Sequence, residues 1–161
     1  MSYEFKTKPF DHQASVLKLS WKALNWAYFM EMGTGKSKVC IDNAGILFEL
    51  GHIDTFVVVA PKGVYRNWAH IEIPVHLPDR IERDIGMWSP SPKRQQKKQL
   101  ELFLSPNVTG NLRILVMNVE ALSTVKGTRY LEQVLKKSKA MFAVDESTTI
   151  KSPKARRTKA I

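Results

Sequence analysis

The sequence MEMGTGKS brings two glycines, a lysine and a serine close together. Gly33 and Gly35 carry no Cβ, so the backbone through Thr34 can turn tightly and present its N–H groups to phosphate oxygens. Lys36 can pair with the β- and γ-phosphates of a nucleotide, and Ser37 can place its hydroxyl on a magnesium ion. These residue types at this spacing predict a site for ATP and Mg²⁺.

An acidic pair far along the chain supplies the second half of such a site. The apolar run MFAV is followed by Asp145 and Glu146. Asp145 can hold the metal directly or through water, and Glu146 can orient and deprotonate the attacking water. A Gly-rich turn before a helix and an acidic turn after a strand each also occur by chance, and Met30 stands where the full phosphate-loop pattern has glycine. The prediction therefore depends on finding both halves in one chain.

The elements that must position these residues alternate between strands and helices. Strands are predicted where short runs are almost wholly apolar, as in buried parallel sheets, at 27–30, 55–60, 85–88, 112–117 and 141–144. Helices are predicted from apolar spacing, at 11–24 with Asp11 as the cap, at 36–50, after Pro61 until Pro74 stops the helix, at 93–104 and around 131–135. This order predicts an α/β fold, a three-layer parallel sheet with helices on both faces. The phosphate loop, residues 30–37, joins the first of these strands to the helix at 36–50.

Length and charge limit what the chain can be. The length of 161 residues and the 43% of hydrophobic residues predict one globular domain, 1–161. The net charge of +10, from 25 basic and 15 acidic residues, favours a polyanionic partner such as nucleic acid. Basic residues concentrate at 89–98 and 151–159, where either phosphate contacts or a solvated surface would account for them.

The remaining composition indicates a soluble protein with no membrane segment, inside the cell, and a nucleic-acid partner would place it in the cytoplasm, nucleoid or nucleus. A single cysteine, Cys40, cannot form an internal disulfide and lies on the apolar stripe of its helix, where a core role is expected. Core packing rather than base stacking is also expected for the four tryptophans, which are Trp21, Trp26, Trp68 and Trp88.

Several sequence blocks, in this order, resemble the first RecA-like lobe of superfamily-two helicases, and in particular the Snf-type DNA translocases. They are KPFDHQ at 8–13, the phosphate loop, VVVAPK at 57–62 with the following Asn67 and Trp68, IGMWS at 85–89, VMNVEAL at 116–122 and DESTTIKS at 145–152. Two positions depart from the family pattern. Met30 replaces its usual aspartate, and Thr148 stands where histidine is common.

The resemblance implies roles for further residues. Gln13 would read the adenine edge of ATP. Lys62 and Asn118, which follow predicted strands, would touch the DNA backbone, and Lys151 in the second basic cluster is a third candidate. The chain would then be the ATP-binding lobe of a DNA-dependent ATPase that binds Mg-ATP and double-stranded DNA.

The family also carries a second RecA-like lobe with arginine fingers, and no block before Ile161 resembles it. Such an arginine contributes roughly 10³ to 10⁵ in turnover in related phosphoryl-transfer sites. We therefore expect this chain alone to bind nucleotide and to hydrolyse it weakly or not at all. A non-catalytic nucleotide- or DNA-binding module derived from such a lobe is one alternative. An RNA helicase lobe is another, and the block around Asn67 and Trp68 is the reason for preferring DNA.

Overall fold

The computed structural model of the chain describes residues 3–31 and 33–145. Within them, four strands form one sheet: β1 (Thr55–Ala60), β2 (Arg83–Met87), β3 (Leu112–Asn118) and β4 (Ala140–Val144). The spatial order is β2-β3-β1-β4, and all three pairings are parallel. The prediction of an α/β fold on a parallel sheet is confirmed.

Helices connect and flank these strands. They are α1 (Asp11–Ser20), α2 (Lys36–Glu49), α3 (Tyr65–Asn67), a π-helical segment (Trp68–Glu72), α4 (Ile73–His76), α5 (Arg94–Leu102), a 3₁₀ segment (Val119–Ser123) and α6 (Val125–Lys137). The residues from α3 to α4 form one continuous helical run. Among the described residues, no helix combines the length and the apolar character that crossing a membrane requires.

Two hydrophobic cores lie on opposite faces of the sheet. Because successive side chains of a strand point to opposite faces, Phe56 and Val58 enter one core and Val57 and Val59 the other. The first core is completed mainly by α2 and the helical run α3 to α4, and the second by α5 and α6. We call these faces the α2 face and the α6 face. The predicted three-layer arrangement is therefore present.

The strand order reverses at the middle of the sheet. β1 and β3 are neighbours, but the chain leaves β1 towards β2 on one side and leaves β3 towards β4 on the other. In open α/β sheets, ligands bind in the crevice at the carboxyl ends of two such strands. Ala60 pairs with Asn118 in the register, so the ends of β1 and β3 meet at this crevice.

The predicted first strand, 27–30, is wrong: these residues form no strand. They do alternate like a strand, with Tyr28 and Met30 packed inward and Phe29 exposed. None of them pairs with a described strand, however, and the local backbone bond runs only from Phe29 to Ala27. Apolar alternation shows which side chains are buried, but a strand also needs a hydrogen-bonded neighbour.

Several predicted helix boundaries also differ from the structure, and the first helix ends at Ser20 rather than at 24. Asp11 is the first residue of α1 rather than its cap, which is Phe10. Pro74 does not end its helix, because the π-helical segment interrupts the regular bonding and Pro74 falls at the start of α4, where its missing N–H costs little. The helix predicted around 131–135 is longer, covering all of α6.

Candidate nucleotide site

The phosphate loop turns through two left-handed glycines. Gly33 has φ of 78° and Gly35 has φ of 83°, a region that side chains with a Cβ disfavour. Gly35 immediately precedes α2, and no described side chain caps that helix. The first turn of α2 also contains no acidic residue. Neither the cap position nor the first turn of α2 therefore supplies an anion to the positive end of this helix, which is a condition for binding an external anion there.

Lys36 folds back onto the loop that precedes it. Its Nζ atom donates to the carbonyl of Met30 at 3.0 Å and to the carbonyl of Glu31 at 2.9 Å. The hydroxyl of Thr34 donates to the same Glu31 carbonyl at 2.7 Å. The ammonium group is thus held at the mouth of the turn, next to the start of α2.

Gln13 attaches α1 to the phosphate loop. Its side chain is buried, its Oε1 atom accepts the N–H of Phe10 at 3.0 Å, and its Nε2 atom donates to the carbonyl of Thr34 at 2.9 Å. His12 lies on the same carbonyl, with 3.1 Å between its Nε2 atom and the Thr34 oxygen. A Cβ on Gly35 would lie 2.2 Å from Nε2 of Gln13. The residue expected to read adenine therefore packs directly on the loop expected to hold the phosphates.

The side chains of Tyr28 and Lys38 make further contacts that fix the same region. Tyr28 places its hydroxyl 3.3 Å from Oγ of Ser20 on α1 and accepts a hydrogen bond from Nδ2 of Asn43 on α2, also at 3.3 Å. Lys38 and Asp42 form a buried ion pair of 2.7 Å within α2, and Lys38 also donates to the carbonyl of Thr7 at 2.8 Å. These bonds join the N-terminal segment, α1 and residues 27–30 to the helix that follows the loop.

Asp145 lies on the α2 face at the end of β4. Its N–H donates to the carbonyl of Val59 at 2.8 Å, which extends the pairing of β4 with β1. Its Oδ2 atom accepts the indole N–H of Trp68 at 2.9 Å. Burial raises the pKa of the Cys40 thiol to about 12, and the negative charge of Asp145 adds to this rise. The pKa of Glu72 is raised in the same way, by burial first and then by Asp145.

The hydrogen bond from Trp68 places Asp145 beside the π-helical segment, on the α2 face of the sheet. Its charge also acts on Cys40, which lies four residues after Lys36 on α2. The carboxylate is therefore on the face of the sheet covered by the helix that follows the phosphate loop. Glu146, the predicted catalytic partner, lies outside the described residues.

The residues expected to contact DNA are placed less uniformly. Lys62 is exposed just after β1, next to the crevice where the strand order reverses. Asn118 ends β3 at the same crevice, but its Oδ1 atom accepts the N–H of Ala121 at 2.9 Å and so caps the 3₁₀ segment. Lys151 lies outside the described residues. Of the three, only Lys62 is described with a side chain directed to solvent.

The tryptophans differ in how deeply they are buried. Trp68 and Trp88 are each 4% exposed and belong to opposite cores, as expected for core residues. Trp26 is 47% exposed, so the expectation of core packing is wrong for it. Cys40 is buried in the core, as predicted. The contact of Trp68 with Asp145 was missed from sequence, and only the apolar neighbours of Trp68 on its helix hinted at burial.

The likeness of this chain to known proteins lies in its fold. No protein-family model matches it, and no curated protein matches its sequence. Among solved structures, it is similar to the Sulfolobus solfataricus SWI2/SNF2 ATPase core in complex with dsDNA, with a TM-score of 0.55 and 14% sequence identity. The similarity covers 89% of this chain and 33% of that chain, so this chain spans about a third of the solved one. At this identity the likeness concerns the fold, an α/β lobe of the RecA-like type.

Proposed function

We propose that this chain is the Mg-ATP-binding lobe of a DNA-dependent ATPase of the Snf-type superfamily-two class. The observation that carries the proposal is the uncapped start of α2, with Lys36 at its head and Asp145 on the same face of the sheet. A phosphate chain needs a helix start with a lysine at its head, and a bound metal needs a carboxylate. The fold shared with an ATPase core in complex with dsDNA supports this assignment.

The conformation of the phosphate loop supports a triphosphate as its proposed ligand. Gly35 adopts a left-handed conformation at a point where a Cβ would collide with Gln13, so the loop needs glycine here both for its turn and for the close packing of α1. Backbone N–H groups of residues 33–37 would bind phosphate oxygens, and Lys36 would exchange its carbonyl partners for them. Because Gln13 is bonded to the Thr34 carbonyl, adenine recognition and phosphate binding would act on one connected unit.

Ser37 and Asp145 would hold the magnesium ion, and Glu146 would orient the attacking water. Bound magnesium would neutralise charge on the phosphates during transfer. The contribution of the chain is to hold a hydroxyl and a carboxylate in place from two different elements, α2 and the end of β4. Since related sites gain most of their turnover from an arginine supplied by another lobe, we propose that this chain alone hydrolyses ATP weakly or not at all.

Double-stranded DNA is the proposed second ligand. The net charge of +10 favours a polyanion, and Lys62 is exposed beside the crevice at the ends of β1 and β3. Backbone contacts of this kind carry no sequence information, so binding would be insensitive to DNA sequence. The solved structure with the shared fold holds dsDNA, which supports DNA over RNA as the partner.

Nucleotide binding is tested by substituting Lys36. Titration with a fluorescent ATP analogue in the presence of Mg²⁺ should show that Lys36→Ala weakens binding by about 10- to 100-fold, the effect of losing hydrogen bonds from a charged donor. Lys98→Ala is the matched control, because Lys98 is an exposed lysine on α5, across the sheet from the loop. Circular dichroism should show both variants folded. Unchanged affinity in Lys36→Ala would contradict the proposed site.

The motor function is tested separately from binding. ATP turnover is measured with and without dsDNA, and again with a second RecA-like lobe supplied in trans. DNA-stimulated turnover in the presence of that lobe would support the ATPase proposal. Nucleotide binding without any DNA-dependent turnover would instead support a non-catalytic module built on the same fold. Preference for duplex RNA over duplex DNA in competition would support an RNA-directed lobe.

A further inference from the structure

Trp68 donates a hydrogen bond to the carboxylate that we propose as a magnesium ligand. Its Nε1 atom lies 2.9 Å from Oδ2 of Asp145, although the two residues are 77 positions apart in the chain. The indole is 4% exposed and packs edge-on against Phe56 of β1, with ring centroids 6.5 Å apart and an angle of 69° between the planes. The N–H donor therefore belongs to a ring that is buried and packed in the core.

The bond has physical reasons to be strong. A buried indole N–H needs an acceptor, because leaving it unpaired costs free energy. A carboxylate acceptor makes the bond charge-assisted, about twice as strong as one between neutral groups. Among the described residues, no other side chain hydrogen-bonds to Asp145. One carboxylate oxygen is thus held by the indole, and the described part of the chain leaves Oδ1 without a hydrogen-bond donor.

The local helix geometry directs the indole towards β4. Trp68 is the first residue of the π-helical segment Trp68–Glu72, inserted between two short α-helical stretches. A π-helical turn contains extra residues compared with an α-helical turn and so changes where the neighbouring side chains point. Such insertions occur frequently at functional sites. Here the segment packs on the sheet with Trp68 and Ala69 both in the α2-face core.

We propose that Trp68 is a positioning residue for divalent-cation binding, which fixes the Asp145 carboxylate through its indole N–H so that one oxygen stays available to the metal. This inference rests on the proposed function, because it takes Asp145 as a ligand of the magnesium that accompanies the nucleotide. Residues that hydrogen-bond to metal ligands orient them, and losing one weakens metal affinity by about 10- to 100-fold. Trp68 itself contacts neither the metal nor the reacting atoms.

The test removes the N–H and keeps most of the ring. In Trp68→Phe, the Mg²⁺ concentration that half-saturates binding of a fluorescent ATP analogue should rise by about tenfold. Binding of the same analogue in EDTA should stay as in the wild type. Trp88→Phe is the matched control, because Trp88 is equally buried but lies in the core of the opposite face. An Mg²⁺ requirement unchanged in Trp68→Phe, or raised equally in Trp88→Phe, would overturn the proposal.

A second measurement does not require any variant to fold. In the unaltered protein labelled with ¹⁵N at the indoles, the Trp68 N–H resonance should shift when MgCl₂ is added to the nucleotide-bound protein, while the Trp88 resonance should not. A Trp68 resonance indifferent to Mg²⁺ would overturn the proposal. The two resonances are assigned from through-bond and through-space spectra of the unaltered protein.

A double-mutant cycle separates this inference from the proposed function. In an Asp145→Asn background, Trp68→Phe should have no further effect on the Mg²⁺ requirement, because its effect acts through the carboxylate. Additive effects of the two substitutions would contradict the positioning role. If Lys36→Ala leaves nucleotide binding unchanged, the proposed function fails. If Lys36→Ala weakens binding as expected but Trp68→Phe leaves the Mg²⁺ requirement unchanged, only the role of Trp68 fails.

Discussion

Replacing Gly35 by alanine tests how α1 and the phosphate loop fit together. Gly35 has φ of 83°, and an L-residue with a Cβ in this region costs about 1–2 kcal/mol. The new Cβ would also lie 2.2 Å from Nε2 of Gln13. Gln13 is buried and bonded to Thr34, so moving it away costs that hydrogen bond, about 1 kcal/mol. We expect Gly35→Ala to lower the free energy of unfolding by about 2–3 kcal/mol.

Gly51→Ala is the matched control for this prediction. Gly51 has φ of 71°, but an added Cβ there would meet no described atom within 4 Å. Only the conformational part of the loss, about 1–2 kcal/mol, should remain. Both losses are measured by urea unfolding followed by circular dichroism.

The contribution of Gln13 can be isolated in the same assay. In a Gln13→Ala background there is no amide for the new Cβ to displace, so Gly35→Ala should cost no more than Gly51→Ala does. The coupling between positions 13 and 35 should therefore be about 1 kcal/mol. If Gly35→Ala and Gly51→Ala destabilise the wild-type chain equally, Gln13 does not lie over Gly35 as the structure has it.

Two further predictions concern the charges of the chain. Lys38→Met leaves Asp42 buried without its partner and should lower the free energy of unfolding by about 3–5 kcal/mol. Lys6→Met breaks an ion pair with the exposed Asp79 and should change the free energy of unfolding far less. Equal losses of the two variants in urea unfolding would contradict this ranking. Affinity for dsDNA should fall by about 0.9 log unit per log unit of salt for each phosphate neutralised, and Lys62→Ala should lower that slope by about one. A slope near zero, measured by fluorescence anisotropy, would remove the basic surface from the DNA proposal.

Much of the sheet could be predicted because its strands are locally distinct. β1 and β3 consist mostly of apolar residues. Because both faces of these strands are buried, the apolar run is visible in the sequence of each strand by itself. The start of α2 could be predicted as well, because the glycines and the lysine of the phosphate loop adjoin a helical pattern. In these cases the signal and the structure occupy the same few residues.

The errors arose where the structure depends on partners distant in sequence. Residues 27–30 alternate like a strand, yet forming one requires a neighbouring strand that the local pattern does not specify. The sequence predicts that Pro74 ends a helix, but the π-helical segment before it places Pro74 in the first turn of α4, where proline is tolerated. The bond between Trp68 and Asp145 spans 77 positions, so no window of the sequence contains both partners. The Lys38–Asp42 pair has visible i,i+4 spacing, but its burial is a tertiary property.

The hydrogen bonds of the phosphate loop decide how nucleotide affinity would arise. Lys36 donates to the carbonyls of Met30 and Glu31, and Gln13 donates to the carbonyl of Thr34. A phosphate that takes Lys36 replaces bonds from the ammonium group to neutral carbonyls by an ion pair in which both partners are charged. The contact of Lys36 with Glu31 is exposed and that with Met30 is partly buried, so water can hydrate the Glu31 carbonyl when it loses the ammonium group. The net gain is the difference between these terms rather than the full strength of a lysine–phosphate pair. Lys36 therefore contributes affinity chiefly when several phosphate oxygens engage the loop at once, which favours a triphosphate over inorganic phosphate.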